Sequence, residues 1–339
     1  MKVVFFDTHA FERGYFEKAS VTTPHELHFL DVRLEPSTVA LLDAVPGVRC
    51  VCAFTNDRLD ATVLGLLKKK GIELIALRSA GFNHVDLTEA GRLGLRVVRV
   101  PAYSPYAVAE YAMALILCLN RKIHRAYNRV REGNFSLDGL VGFDLHGKSI
   151  GIVGTGKIGS VMCKILGGFG CQVLAHDAQP SAQLTRDYGV EYVPASELYR
   201  RSDVLSMHVP LSAQTRHFID EKAFRQMKPG AMLINTGRGA LIDTGALIAA
   251  LKSGQLGSAG LDVYEEEEAY FFQDLSDQVL RDDVLARLLT FPNVVLTSHQ
   301  AFLTREALVA IATTTLGNIS EYEQCRPLSH EVRSRSESA

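Results

Sequence analysis

The sequence carries almost no net charge. Its 339 residues hold 36 Lys and Arg against 38 Asp and Glu, a formal charge of −2, so no basic surplus exists to draw in nucleic acid or an anionic membrane. Paired cysteine motifs are also missing. Cys50, Cys52, Cys118, Cys163, Cys171 and Cys325 form no CxxC pair and stand at no metal-ligand spacing to histidine. They read as reduced core thiols of a cytoplasmic protein without a metal site. Long apolar runs are lacking too. The longest, Ala107 to Leu119, is interrupted by Glu110 and falls short of the roughly 20 residues of a membrane span, which predicts a buried helix instead. The opening MKVVFFD is too short in its apolar part for a signal-peptide core and fits a first strand. No internal repeat occurs at solenoid periods. The polar tail SHEVRSRSESA, from Ser329 to Ala339, is expected to fray.

What is present is an ordinary globular composition, 47% hydrophobic and 22% charged, long enough for about two domains. Short β-branched runs alternate with helical patterns. Strands are predicted at Val3–Phe6, Val48–Phe54, Leu74–Leu77, Val97–Val100, Ser149–Val153, Gln172–His176, Asp203–His208, Ala231–Asn235, Ala259–Val263 and Val294–Thr297. The alternation predicts an α/β protein with doubly wound parallel sheets, Rossmann-like or flavodoxin-like, in two domains with a cleft between them. A helix from about Ser104 to Glu132, entered through the rigid VPAYSP turn, marks the crossover. A last helix, Thr304 to Tyr322, has no strand of its own to cover and is expected to pack back on the first domain. The expected division is residues 1–100 plus 300–339 as an outer domain, and 101–299 as a central one.

Within SIGIVGTGKIGSVMCKIL, a strand runs into Gly154, Gly156 and Gly159 and then into a helix. In that context the glycines permit a tight turn, the approach of a pyrophosphate to the helix N-terminus at Lys157 and Ile158, and close packing of helix on strand. The next strand ends in Asp177, about 20 residues on, where a carboxylate can accept from ribose hydroxyls and repel a 2′-phosphate. The expected cofactor is NAD rather than NADP.

Further strand ends carry polar residues: HVPLSAQT after one, INTGRG after a second, GLDVYEEEE after a third and TSHQAF after a fourth. All lie on the carboxyl side of their strands, where ligands of parallel sheets bind. Gly237 and Gly239 flank Arg238, which suggests a sharp turn that lets a ligand come close. Reducing a 2-keto acid with a nicotinamide requires a proton donor for the ketone oxygen and a cation for the carboxylate. Histidine suits the first role and arginine the second. A carboxylate beside the histidine favours the imidazolium form and keeps the donor loaded. Taken singly, each motif also fits a surface arginine, a satisfied histidine or a solvated acidic run.

Together with SAGFNHVDL (Ser79 to Leu87) and VPAYSPYAVAEYAMALIL (Val100 to Leu117), these blocks resemble the D-isomer-specific 2-hydroxyacid dehydrogenases over nearly the whole chain. The resemblance implies a substrate-binding Arg238, a proton donor His299 and a pairing carboxylate Glu267. Glu267 is chosen among four glutamates because it stands five residues after Asp262, as in the family. The resemblance further implies that the amides near Ala80 and Gly81, with Tyr103, bind the substrate carboxylate. It implies that Val209, Pro210, Thr215, Thr236, Gly237 and Asp262 join the loop glycines, Lys157, Ile158 and Asp177 in holding NAD. The long segment AYFFQDLSDQVLRDDVLARLL between Glu267 and His299, and the lack of a regulatory domain after the last helix, resemble the branch that reduces pyruvate to D-lactate. The sequence departs from some relatives at Phe302, where they carry tyrosine, so the substrate pocket is expected to be more apolar there. The alternatives are a dehydrogenase for bulkier acids such as phenylpyruvate or 2-ketoisocaproate, and a NAD-sensing binding protein of the corepressor kind. A formate dehydrogenase would place glutamine at the pairing position. The segment around Tyr106 to Arg131 resembles the family's dimerisation element, so a homodimer or homotetramer is expected.

Overall fold

The computed structural model describes residues 1–334, and the part of the tail beyond Ser334 lies outside the described residues. The chain divides into two units, one of Met1–Ser104 with Leu303–Ala339 and one of Pro105–Phe302. The boundary after Phe302 has a physical cause. Gln300 and Ala301, assigned to the outer domain on sequence, donate their backbone N–H groups to the Asp262 carboxylate, which ties them to the second unit.

In the first unit the elements are β1 (Lys2–Phe5), α1 (Ala10–Ser20), β2 (Glu26–Phe29), β3 (Cys50–Ala53), α2 (Ala61–Lys69), β4 (Leu74–Leu77), α3 (Leu87–Arg92) and β5 (Arg96–Val98). The five strands are parallel in the order β2-β1-β3-β4-β5, the flavodoxin-type winding. The inner strands are wholly apolar and buried, with Val4, Val51 and Ile75 in one core beside Leu64 and Leu67 of α2. β2 escapes the sequence pattern because ELHF is a half-exposed edge strand. The chain's last helix, Arg305–Glu323, packs on α1 and β4.

The tail does not fray at once. His330 O accepts from Arg99 N, Glu331 bridges Val98 in antiparallel fashion, and Val332 N donates to Val97 O at 2.8 Å. The free edge of β5 offers unpaired backbone groups, and the tail satisfies them.

The second unit contains α4 (Pro105–Arg121), α5 (Ile123–Arg131), β6 (Ser149–Val153), α6 (Lys157–Gly168), β7 (Gln172–His176), α7 (Ala182–Tyr188), β8 (Glu191–Tyr192), α8 (Ala195–Arg201), β9 (Val204–Met207), α9 (Glu221–Gln226), β10 (Ala231–Asn235), α10 (Thr244–Ser253), β11 (Leu256–Leu261), α11 (Asp283–Leu289) and β12 (Val294–Leu296); the last helix is therefore α12. Its seven strands are parallel in the order β12-β11-β10-β9-β6-β7-β8. The winding reverses between β6 and β9, which creates a crevice at their carboxyl ends.

The helix expected from Ser104 to Glu132 is broken. Lys122 takes a left-handed conformation (φ 52°) between α4 and α5. At the break, the Asn120 side chain exchanges two hydrogen bonds with Phe143 and Lys122 Nζ donates to Gly139 O, so the following loop folds back against it. α4 is buried along Ala109, Ala112 and Ile116, as its apolar run predicts. All six thiols are free; Cys50, Cys52 and Cys163 are buried, but Cys325 is exposed just past the end of α12 rather than in a core. Among the described residues no helix is long and apolar enough to cross a membrane.

Candidate active site

Three strand ends of the second unit converge. After β11, the chain turns through Asp262 into the acidic run, and after β12 it reaches His299. His299 Nδ1 lies 2.7 Å from Glu267 Oε1. The other carboxylate oxygen, Oε2, accepts from the Tyr264 backbone N–H at 2.9 Å, so the glutamate is fixed at both ends. With Nδ1 donating to a carboxylate, Nε2 is the ring nitrogen left for a reactant. Phe272 stands beside the imidazole, its ring centroid 6.1 Å away.

His299 itself sits at φ 55°, a region that non-glycine residues rarely occupy and that surrounding structure must enforce. The enforcement comes from Asp262. Its carbonyl accepts from His299 N at 2.7 Å, and its fully buried carboxylate accepts from Thr297 Oγ1, Gln300 N and Ala301 N. Burial pushes the Asp262 carboxyl above its ordinary pKa, against the pull of these three hydrogen bonds. The sequence marked Asp262 for the cofactor. In the structure its carboxylate shapes the histidine loop.

The acidic run sorts itself by position. Glu266 and Glu268 are exposed, while Glu265 and Glu267 are drawn inward. Glu265 accepts from His217 Nε2 at 2.7 Å, from Arg216 and from Thr244 Oγ1. That locks the acidic loop to the segment preceding α9 and to the first residue of α10.

Arg238 follows β10 on a turn built by Asn235, whose Nδ2 donates to Arg238 O and whose Oδ1 accepts from Gly237 N. The Arg238 guanidinium donates to Gly237 O at 2.7 Å. The chain bends at Gly237 and enters a short 3-10 turn at Gly239 without either glycine taking a positive φ. The reason for Gly239 is a close approach within the protein: a Cβ there would lie 2.1 Å from Tyr264 C and 2.3 Å from Glu265 N. The backbone carrying Arg238 is thereby pressed onto the backbone that leads to Glu267.

At the reversal of winding, Gly154 takes φ +90°, and a Cβ on it would meet His208 O at 2.7 Å. A Cβ on Gly159 would sit 1.9 Å from Gly154 O, so α6 packs directly on the loop. Gly156 differs. Nothing lies within 4 Å of its Cβ position, and no side chain caps α6, which leaves the first-turn amides at Lys157 and Ile158 open to an anion. Asp177 Oδ2 accepts from Thr155 N and Thr155 Oγ1, and Oδ1 from Gln179 N. Burial raises the Asp177 pKa, but these bonds outweigh it and hold the carboxyl below its usual range. Along HVPLSAQT, after Val209, the Thr215 hydroxyl donates to Pro210 O and accepts from Ser212 N, which closes that loop on itself. Thr236 Oγ1 is buried and has no hydrogen-bond partner among the described residues. An open helix N-terminus, two loop glycines, Gly154 and Gly159, that no side chain could replace and an orphaned hydroxyl together fit a dinucleotide.

The comparisons agree with this geometry. Residues 113–301 match the family model "D-isomer specific 2-hydroxyacid dehydrogenase, NAD binding domain". The chain is 49% identical to D-lactate dehydrogenase of Escherichia coli over 98% of its own length and 100% of the relative's. It is 50% identical to 2-hydroxyacid dehydrogenase homolog 1 of Schizosaccharomyces pombe over 95% of its own length and 96% of the relative's. The chain belongs to the D-isomer-specific 2-hydroxyacid dehydrogenases. Among solved structures, the one titled "Identification of the pyruvate reductase of Chlamydomonas reinhardtii" superposes with a TM-score of 0.91 at 43% identity, covering 97% of this chain and 98% of that one.

This dehydrogenase therefore uses NAD and acts on small 2-hydroxy or 2-keto acids. Of the remaining residues marked on sequence, Phe302 ends the second unit half-buried, whereas Ala80, Gly81 and Tyr103 lie in the first unit, each half-buried. Sequence reasoning missed the residues that hold the dehydrogenase's chemical groups in place: Asn235, Glu265, Thr155 and the Tyr264 amide. Asn235 carried a visible signal, a polar residue closing a buried strand. Glu265 and the Tyr264 amide carried none, since their partners are distant in sequence or lie in the backbone.

Proposed function

We propose that this enzyme reduces pyruvate to D-lactate, with His299 as proton donor to the ketone oxygen, Glu267 as its orienting carboxylate and Arg238 as the cation for the substrate carboxylate. The observation that carries the reading is the His299–Glu267 contact of 2.7 Å, with the Arg238 backbone packed through Gly239 on the same acidic loop. The names of the relatives, D-lactate dehydrogenase and pyruvate reductase, support the substrate. NADH, when bound, supplies the hydride.

The protein's own residues do the rest. Glu267 accepts from Nδ1 and so fixes the ring with Nε2 turned to the reactant, from which His299 delivers its proton as charge grows on the oxygen. Arg238 stays charged at any working pH and its planar fork matches a carboxylate. We also assign the amides of Ala80 and Gly81, with the Tyr103 hydroxyl, to the substrate carboxylate, and Phe302 to the substrate. For NAD we assign Gly154, Gly156, Lys157, Ile158 and Gly159 to the pyrophosphate and Asp177 to the ribose. Val209, Pro210, Thr215, Thr236, Gly237 and Asp262 line the remainder.

The exposed apolar side chains Ile123, Tyr127, Val130, Phe135, Leu137 and Val141, on α5 and the loop after it, support pairing with a second copy. The free thiols support a cytoplasmic location. The test is NADH oxidation with pyruvate and then phenylpyruvate, with chiral analysis of the product. Turnover to D-lactate is expected. NADH binding without turnover of any 2-keto acid would make this a NAD-responsive binding protein instead.

A further inference from the structure

In the first unit, three successive carbonyls after β4 are all turned to internal donors. Ser79 O accepts from Val100 N at 3.1 Å. Ala80 O accepts from Arg99 Nη1 at 2.7 Å, and Gly81 O accepts from Ser79 Oγ at 2.8 Å. The N–H groups of Ala80 and Gly81 have no acceptor among the described residues. Amides left over in this way form an anion site, provided that something keeps their carbonyls facing away.

Arg99 does much of that keeping, and it is itself unusually well held. Its backbone N–H donates to His330 O, and its own carbonyl accepts from Asn318 Nδ2 at 2.9 Å. Asn318 Oδ1 in turn lies 2.8 Å from His330 Nδ1. A residue of α12 and a residue of the tail thus clamp Arg99 from both sides. The guanidinium lies over the Phe82 ring at 5.0 Å, half-buried, and no carboxylate pairs with it among the described residues. A half-buried arginine without a counter-ion carries a desolvation cost that a bound anion would offset.

We propose that Arg99 is a positioning residue for substrate: by gripping the Ala80 carbonyl it leaves the Ala80 and Gly81 amides free for the substrate carboxylate, and it places an unpaired positive charge beside them. Asn318 of α12 and His330 of the tail are the clamp that fixes Arg99. This inference rests on the 2-keto acid reading of the site.

The test uses the full chain and the variants Arg99→Met and Arg99→Lys. One readout is steady-state reduction of pyruvate. The other is binding of oxamate to the NADH complex, since oxamate offers the carboxylate but accepts no hydride. Loss of a charge-assisted bond predicts a rise of about tenfold to a hundredfold in the pyruvate KM and oxamate Kd of Arg99→Met, with the NADH KM within about twofold of the parent. Arg99→Lys, which keeps the charge and one donor, should fall between parent and Met variant. A chain ending at Leu328, without the His330 acceptor, should shift in the same direction by less. Unchanged oxamate binding in Arg99→Met overturns the inference, and so does a parallel loss of NADH and oxamate affinity with a lowered Tm, which would mean a structural role only. If the parent reduces no 2-keto acid, the proposed function fails, while the oxamate measurement still decides the role of Arg99.

Discussion

His299 Nδ1 sits 2.7 Å from Glu267 Oε1 although 32 residues separate them in sequence, and the glutamate's second oxygen is anchored on the Tyr264 amide. The imidazole is thus oriented before any substrate arrives. Preorganisation of this kind makes the two residues unequal. His299→Gln removes the proposed proton donor and should lower kcat by about three orders of magnitude or more while NADH affinity stays near that of the parent. Glu267→Gln leaves the ring in place without the negative charge beside it. It should lower kcat less, by about tenfold to a hundredfold. Steady-state kinetics of both variants check the assignment, and an active His299→Gln enzyme would refute it.

Gly239 and Gly156 should respond oppositely to alanine. A Cβ on Gly239 meets the Tyr264 backbone at 2.1 Å, and backbone cannot step aside as a side chain can. Gly239→Ala should cost roughly 1–3 kcal/mol of stability and separate Arg238 from Glu267, so that Tm and kcat/KM fall together. A Cβ on Gly156 meets nothing within 4 Å. Gly156→Ala should fold with an unchanged Tm yet bind NADH about tenfold or more weakly, since the methyl occupies the space that a pyrophosphate needs. Thermal melts with and without NADH separate the two.

Asp177 braces the glycine loop through Thr155, and as the proposed ribose carboxylate it would repel a 2′-phosphate by charge. Asp177→Ala should therefore weaken NADH and relieve the penalty on NADPH. The ratio of kcat/KM for the two cofactors is expected to move towards NADPH by about tenfold to a hundredfold. A ratio that stays with the parent would show that discrimination lies elsewhere.

His208, at the end of β9, is packed tightly enough that burial lowers its pKa from 6.5 to about 4. Its Nε2 lies 2.9 Å from Ser206 Oγ. Because the folded state holds this histidine neutral, its contribution to stability is complete above pH 6.5, declines as the pH falls below that value, and is lost below about pH 4. Urea unfolding of the cofactor-free protein should show a loss on the order of 2 kcal/mol across that window. In His208→Gln, which cannot take up a proton, that part of the slope should disappear.

The winding of both sheets was legible in the sequence because a parallel strand buried on both faces must be an unbroken apolar run, as CVCA, LIAL and AMLIN are. The half-exposed ELHF and the two-residue EY were not, since an edge strand buries too little to leave a pattern. The glycine loop was legible for a related reason. Its geometry is local, so glycine spacing, strand and helix all fall within one short segment.

The break at Lys122 was hidden, because what accompanies it is a loop folding back onto Asn120, over twenty residues away. The ordered tail was hidden in the same way: its polar sequence reads as frayed, and only the free edge of β5 gives it a partner. Most of the candidate site belongs to this second class. The sequence supplied Arg238, Glu267 and His299 as residue types at strand ends, and the resemblance singled out Glu267 from four glutamates. Tertiary structure alone decided which glutamates turn inward, that Asp262 holds His299 in a left-handed conformation, and that the turn at Gly239 is pressed against the Tyr264 backbone. Each of these depends on distances between segments far apart in the chain, and residue order does not encode such distances until the sheets have formed.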